Sequence, residues 1–124
     1  MIGIGTDIVK VSRIEEVVQR QGERFVRRIL TPAEMEEYAA SKQANRLLAR
    51  RFAAKEAIVK ALGTGIGNGV GWQHICVEHD ELGRPLVVLS GGAAERAESL
   101  GATGVMLSLA DEDEYVVAFA VLSS

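Results

Sequence analysis

The first nine residues alternate. Ile2, Ile4, Thr6 and Ile8 fall on one side of an extended chain, with Gly3, Gly5, Asp7 and Val9 on the other. A period of two predicts a strand, and the two glycines beside Asp7 imply open space next to its carboxylate. The period then lengthens through Ile14, Val17 and Val18, which predicts a helix. Ser12, with Glu15 three residues on, reads as its N-cap and capping-box partner. Gly22 ends that helix, and a short turn carrying Phe25, Val26, Ile29 and Leu30 follows. Thr31-Pro-Ala-Glu34 supplies a cap, a proline at the first helical position and a glutamate at the third, so a second helix starts there. A third and longest helix is predicted over 44–62, apolar at Leu47, Leu48, Phe52, Ala53, Ile58 and Val59.

Residues 63–71 contain five glycines in nine positions. Ile75, Val77 and the run from Leu86 to Leu89 then frame a hairpin turning through Asp80-Glu-Leu-Gly-Arg-Pro85. Gly91-Gly92 opens a helix over 93–100, closed by Gly101. Strands follow near 104–109 and 115–122, with Asp111-Glu-Asp-Glu114 as the turn between them. The order is one strand, three helices, two strands, a helix and two strands. It predicts a single α+β domain with a largely antiparallel sheet.

Composition narrows the class. With 124 residues, 48% hydrophobic and 25% charged, the chain is long enough for one real core. No run approaches the roughly 18 apolar residues of a membrane span, and no basic start precedes an apolar segment, so no secretory signal is read. Cys76, the one cysteine, has no disulfide or metal-knuckle partner and reads as a small apolar strand residue. A cytoplasmic protein is the expectation. Formal net charge is -3, yet the first helices carry Arg13, Arg20, Arg24, Arg27 and Arg28. Residues 42–60 add Lys42, Arg46, Arg50, Arg51, Lys55 and Lys60. Basic helices on an acidic protein predict an anionic partner or ligand. No aromatic platform accompanies the arginines, so nucleic acid is not expected.

The chemistry concentrates at 51–67. Glu56 and Lys60 stand one helical turn apart on one face, and glycines follow. The bland reading is a surface ion pair worth about 0.3–0.5 kcal/mol. Against it, Glu56 sits among Phe52, Ala53, Ala57 and Val59, where an unpaired carboxylate is costly. The glycine run is neither a Walker loop, whose lysine follows its glycines, nor a G-x-G-x-x-G fingerprint. By itself it reads as a mobile linker. Asp7, on an otherwise apolar strand, needs a buried partner such as a metal or a lysine, unless it is a turn residue. Two carboxylates and a lysine compose a site for a hard metal ion carrying a phosphorylated ligand. His74 and His79 lack metal-ligand spacing and read as structural or surface residues.

Two motifs carry a resemblance. Gly3-Ile-Gly-Thr-Asp-Ile-Val9 and Arg51-Phe-Ala-Ala-Lys-Glu-Ala-Ile-Val-Lys-Ala-Leu-Gly-Thr-Gly65 are similar to those of the holo-[acyl-carrier-protein] synthases, small bacterial 4'-phosphopantetheinyl transferases. The likeness extends over essentially the whole chain, including Arg28-Ile-Leu-Thr31 and Leu82-Gly-Arg-Pro85. It implies transfer of phosphopantetheine from coenzyme A to a carrier-protein serine, for fatty acid biosynthesis, with release of 3',5'-ADP. Asp7 and Glu56 are implied as magnesium ligands, and Lys60 as the residue on the coenzyme A pyrophosphate. Coenzyme A contacts are implied at Arg51, Gly63, Gly65, Gly83, Arg84, Pro85 and Asp111, and carrier-protein contacts at Arg13, Arg24, Phe25 and Arg28. Glu56, directly or through a water, is the first choice for the base. Some relatives carry histidine at the position of Asp111, which reads here as a turn residue or a second candidate base. The resemblance also implies a homotrimer, and Tyr115–Leu122, apolar on both faces, gives that a physical reason. Two other readings stand beside it: a non-catalytic module that binds an acidic protein through its arginine helices, and a nucleoside-diphosphate hydrolase using the same metal.

Overall fold

In the computed structural model, which describes residues 1–124, helix α4 (Ala44–Leu62) is buried nearly all round. Such a helix must be enclosed by other elements. On one side lies a three-stranded antiparallel sheet of β1 (Gly3–Lys10), β5 (Tyr115–Ser123) and β4 (Gly104–Glu112), in that spatial order. Val116, Ala118, Ala120 and Leu122 of β5 point at α4 and are fully buried. Gly3 and Gly5 of β1 lie against the helix backbone itself. A Cβ on Gly3 would stand 2.2 Å from the Ala61 carbonyl oxygen, and one on Gly5 would stand 2.0 Å from that of Ala57. The space expected beside Asp7 is therefore filled, because the glycines are there to admit the helix.

The other elements wrap the remaining sides of α4. Helices α1 (Val11–Gln21), α2 (Glu23–Ile29) and α3 (Pro32–Ala40) precede it, and a 3-10 turn (Trp72–His74) leads into the ribbon β2 (Ile75–His79) with β3 (Pro85–Leu89). Helix α5 (Gly91–Ser99) connects the ribbon to β4.

Four helices rather than three separate β1 from β2. The segment expected as a turn is α2, which buries Val26 and Ile29. Gly22, at φ 65°, ends α1 and immediately precedes α2. The expected Ser12 cap is not formed, since α1 starts at Val11, two residues earlier, with Lys10 at its N-cap and no side-chain cap. Its Val11 N–H is satisfied instead by the Glu114 carbonyl at 2.8 Å, across the β4–β5 turn. Thr31 does form the expected capping box with Glu34. The glycine segment is no free linker. Gly63, at φ 77°, caps α4, Thr64 and Gly65 N–H both return to the Val59 carbonyl, and Gly67 bridges to Val70.

Candidate active site

Asp7 and Glu56 meet because β1 and α4 pack backbone to backbone. The side chain of Asp7 points toward the helix, and its Oδ1 accepts from Lys60 Nζ at 3.1 Å. Lys60 also donates to the Thr6 carbonyl at 2.9 Å. The lysine expected to pair with Glu56 one turn earlier is thus turned to β1, which answers the expectation of a lysine partner for Asp7. Glu56 is left without an ion pair and faces a like charge. Burial, then the Asp7 carboxylate, raise its pKa above the ordinary carboxylate range, opposed by Lys60. Two carboxylates in one groove, one of them bonded to a lysine, offer oxygen donors that suit a hard cation, which usually takes one or two of its ligands from carboxylates.

Both carboxylates line a groove of about 830 Å³. Arg13 of α1, Phe25 of α2, Phe52 of α4 and Tyr115 of β5 line it too. Its aromatic wall continues beyond the groove: the Phe25 and Phe52 rings lie 6.3 Å apart, and Phe52 stacks on Trp72 at 5.1 Å. Arg28 faces a neighbouring groove with Arg27 and Trp72, and Arg24 is exposed on α2.

A second cavity, of about 360 Å³, shares no lining residue with the first. Arg51, Gly83 and Pro85 come together there, with Arg50, His79 and Glu37. Arg51 is almost wholly buried, and its Nη2 donates to Glu37 at 3.0 Å. Its Nε lies 3.9 Å from Glu34, close enough for Coulomb attraction but beyond a hydrogen bond, and has no other partner. A buried N–H left unmatched is costly, so this guanidinium is set up to receive an acceptor. Burial, then the Arg51 charge, hold the His79 pKa below the ordinary imidazole range. The Gly83 turn is built by Asp80, whose Oδ1 accepts from Leu82 and Arg84 N–H at 2.9 Å each.

Asp111 is not in a turn. Strand β4 runs on to Glu112, and Asp111 pairs with Val116 in the ladder. Its carboxylate bonds Arg50 Nε at 2.7 Å and approaches Arg46 at 3.5 Å, so it anchors an arginine of the second cavity. Gly63 and Gly65 line neither cavity, although nothing lies within 4 Å of a Cβ on Gly65.

Sequence reasoning missed several of these. Lys55 and Arg51 read in sequence only as part of the basic charge of the long helix, with Arg51 implied by resemblance as a coenzyme A contact, yet both are buried. The available signal was their spacing: four apart, on a helix otherwise rich in alanine. His79, Glu37 and Arg50 reach the second cavity from three different elements, and no local spacing announces that.

Residues 3–120 match the model of the 4'-phosphopantetheinyl transferase superfamily. A holo-[acyl-carrier-protein] synthase of Vibrio cholerae serotype O1 (strain M66-2) is 51% identical over 122 residues, covering 98% of this chain and 97% of the relative. The chain belongs to the holo-[acyl-carrier-protein] synthase family. Solved structures agree with the fold. That of the Neisseria meningitidis synthase superposes with a TM-score of 0.93 at 43% identity, covering 100% of both chains. The Helicobacter pylori synthase, solved in complex with coenzyme A, gives 0.84 at 32% identity, covering 97% of this chain and 99% of that one.

Proposed function

We propose that the whole chain is one transferase domain, moving 4'-phosphopantetheine from coenzyme A to a serine of apo acyl carrier protein. It releases 3',5'-ADP, uses magnesium, and serves fatty acid biosynthesis in the cytoplasm. One observation carries the reading: Asp7 and Glu56 share a groove with Arg13 and Phe25, and Lys60 bonds the first of them.

Asp7 and Glu56 would hold the magnesium, which when bound supplies charge neutralisation at the pyrophosphate oxygens. Glu56, directly or through a water, takes the proton from the serine hydroxyl. The serine oxygen bonds to the β-phosphorus as the bond from that phosphorus to the 3',5'-ADP oxygen breaks. Lys60 offsets the negative charge that develops there. Arg51, Gly83 and Pro85, with Arg84 in the adjoining turn and Asp111 behind Arg50, receive the nucleotide end of coenzyme A. Gly63 and Gly65 give the pyrophosphate room to approach. Arg13, Arg24, Phe25 and Arg28 meet the acidic carrier protein.

A homotrimer completes the site in this reading. Ile4, Ile8, Met106, Val117, Phe119 and Val121 share the sheet face turned away from α4. Of these, Ile4 is 52% and Ile8 64% exposed. A three-stranded sheet with one apolar face open needs a cover. Closing copies around an axis covers it, and a neighbour's Arg51 cavity can then adjoin the Asp7–Glu56 groove, from which it is separate within one subunit.

Intact mass of an apo carrier protein incubated with this chain, coenzyme A and magnesium is the test. A gain of one phosphopantetheine is expected. A bound but unmodified carrier protein would favour the non-catalytic module, and coenzyme A consumed without carrier protein would favour a hydrolase.

A further inference from the structure

Glu34 and Lys55 are both fully buried, and neither touches the groove or the second cavity. Glu34 Oε1 accepts from Thr31 N–H at 2.9 Å and from Lys55 Nζ at 2.7 Å. Its Oε2 accepts from Val77 N–H at 2.8 Å and stands 3.9 Å from Arg51 Nε. Lys55 also donates to the carbonyls of Ile29 and Trp72, at 2.6 and 3.3 Å. A buried ion pair is weak support for stability, because apolar residues of similar volume serve as well or better. A role beyond stability is therefore needed to account for it.

The geometry supplies one. A single carboxylate joins the start of α3, the middle of α4 and the outer edge of β2. The two partners that matter lead to two walls of the second cavity. Arg51 is one wall. Val77 lies in the ribbon whose connecting turn and second strand bring Gly83 and Pro85 to the other. The Val77 N–H points away from β3 and would otherwise be an unpaired strand edge.

We propose that Glu34 is a positioning residue of the coenzyme cavity: it fixes the distance between the Arg51 guanidinium and the Gly83–Pro85 edge, so that a phosphorylated nucleotide fits between them. This rests on the reading of that cavity as the coenzyme A site. Lys55, bonded to the second side of the carboxylate, keeps it from swinging toward Arg51 and filling the place of the incoming anion.

Steady-state kinetics on Glu34→Gln, with coenzyme A and apo carrier protein varied in turn, test it. The amide keeps the shape and can still accept from Val77, but brings no charge to Arg51. KM for coenzyme A should rise about tenfold, as for outer-shell partners of other sites, while KM for the carrier protein and kcat stay within about threefold. Glu34→Gln/Lys55→Met, which also removes the uncompensated ammonium, should regain thermal stability and keep the raised coenzyme KM. An unchanged coenzyme KM, or an equal rise for both substrates, overturns the proposal. Arg51→Ala separates the two levels: if it leaves the coenzyme KM unaltered, the cavity itself is misread. If Glu34→Gln does not fold, hydrogen exchange on the unaltered protein decides. Coenzyme A should slow exchange at Thr31 and Val77 together, and independent responses overturn the proposal.

Discussion

Glu56 combines two features that ordinarily oppose each other: it is half-buried, and it lacks an ion pair. Its raised pKa has a consequence for stability with a definite sign. The folded chain binds this proton more tightly than the unfolded chain, so the contribution to stability is present at acid pH and lost as pH rises through the raised value. Glu56→Gln should therefore melt at a higher temperature than the parent at pH 7 in metal-free buffer, with the difference vanishing below the ordinary carboxylate pKa. Thermal melts at the two pH values check this, and a variant less stable at pH 7 would contradict it. Lys60 has a different part. Half of its side chain is exposed, so its bond to Asp7 contributes little to the fold. Lys60→Ala should leave the melting temperature nearly unchanged and lower kcat by about 10²–10³, the usual cost of removing one group aimed at developing charge. Single-turnover transfer, with phosphopantetheine followed by mass, measures it.

Between elements, the decisive contact is β1 against α4. Each glycine of Gly3-Ile-Gly-Thr-Asp7 stands where a methyl group would strike a helix carbonyl. Gly5→Ala should destabilise the protein by about 1–3 kcal/mol through overpacking. It should also depress transfer more than its fraction unfolded explains, because β1 carries Asp7 and α4 carries Glu56. Denaturant melts and turnover on the same samples separate the two effects. Helices α1 and α2 carry the surface proposed for the carrier protein. Arg13 opens onto the groove beside Phe25, while Arg24 projects outward. Charge reversal at either should raise KM for an acidic carrier protein and leave that for coenzyme A near its parent value. The association rate should fall with added salt.

For the molecule as a whole, the open sheet face and the two unconnected cavities lead to one expectation. Light scattering should return three times the 13.3 kDa chain mass, and Phe119→Asp should give inactive monomers. Complementation is the sharper measurement. Arg51→Ala and Glu56→Ala, each strongly impaired alone, should recover part of the activity when subunits are mixed, because some interfaces then pair an intact Glu56 with an intact Arg51. No recovery would place both cavities' work within one subunit.

Local information carried far in this chain. Alternation in β1, the Thr31–Glu34 capping box, the long helix 44–62, the Asp80 turn and the two final strands all lie where period and turn chemistry predict them. The residues of interest were visible too, though not their pairing: a carboxylate on an apolar strand and a lysine one turn past a half-buried glutamate stand out as anomalies in the sequence alone. The segment 23–29 was not legible as a helix, because seven residues are too few to show a period. Three matters were settled only by tertiary packing. Lys60 turned from Glu56 to Asp7 because β1 brought a second carboxylate, and a backbone carbonyl, within its reach. Asp111 became an anchor for Arg46 and Arg50 because β4 runs beside α4. Lys55 and Glu34 are buried because they neutralise each other in the core. Sequence records which residues are charged; which charges face each other is decided by contacts between elements far apart in the chain.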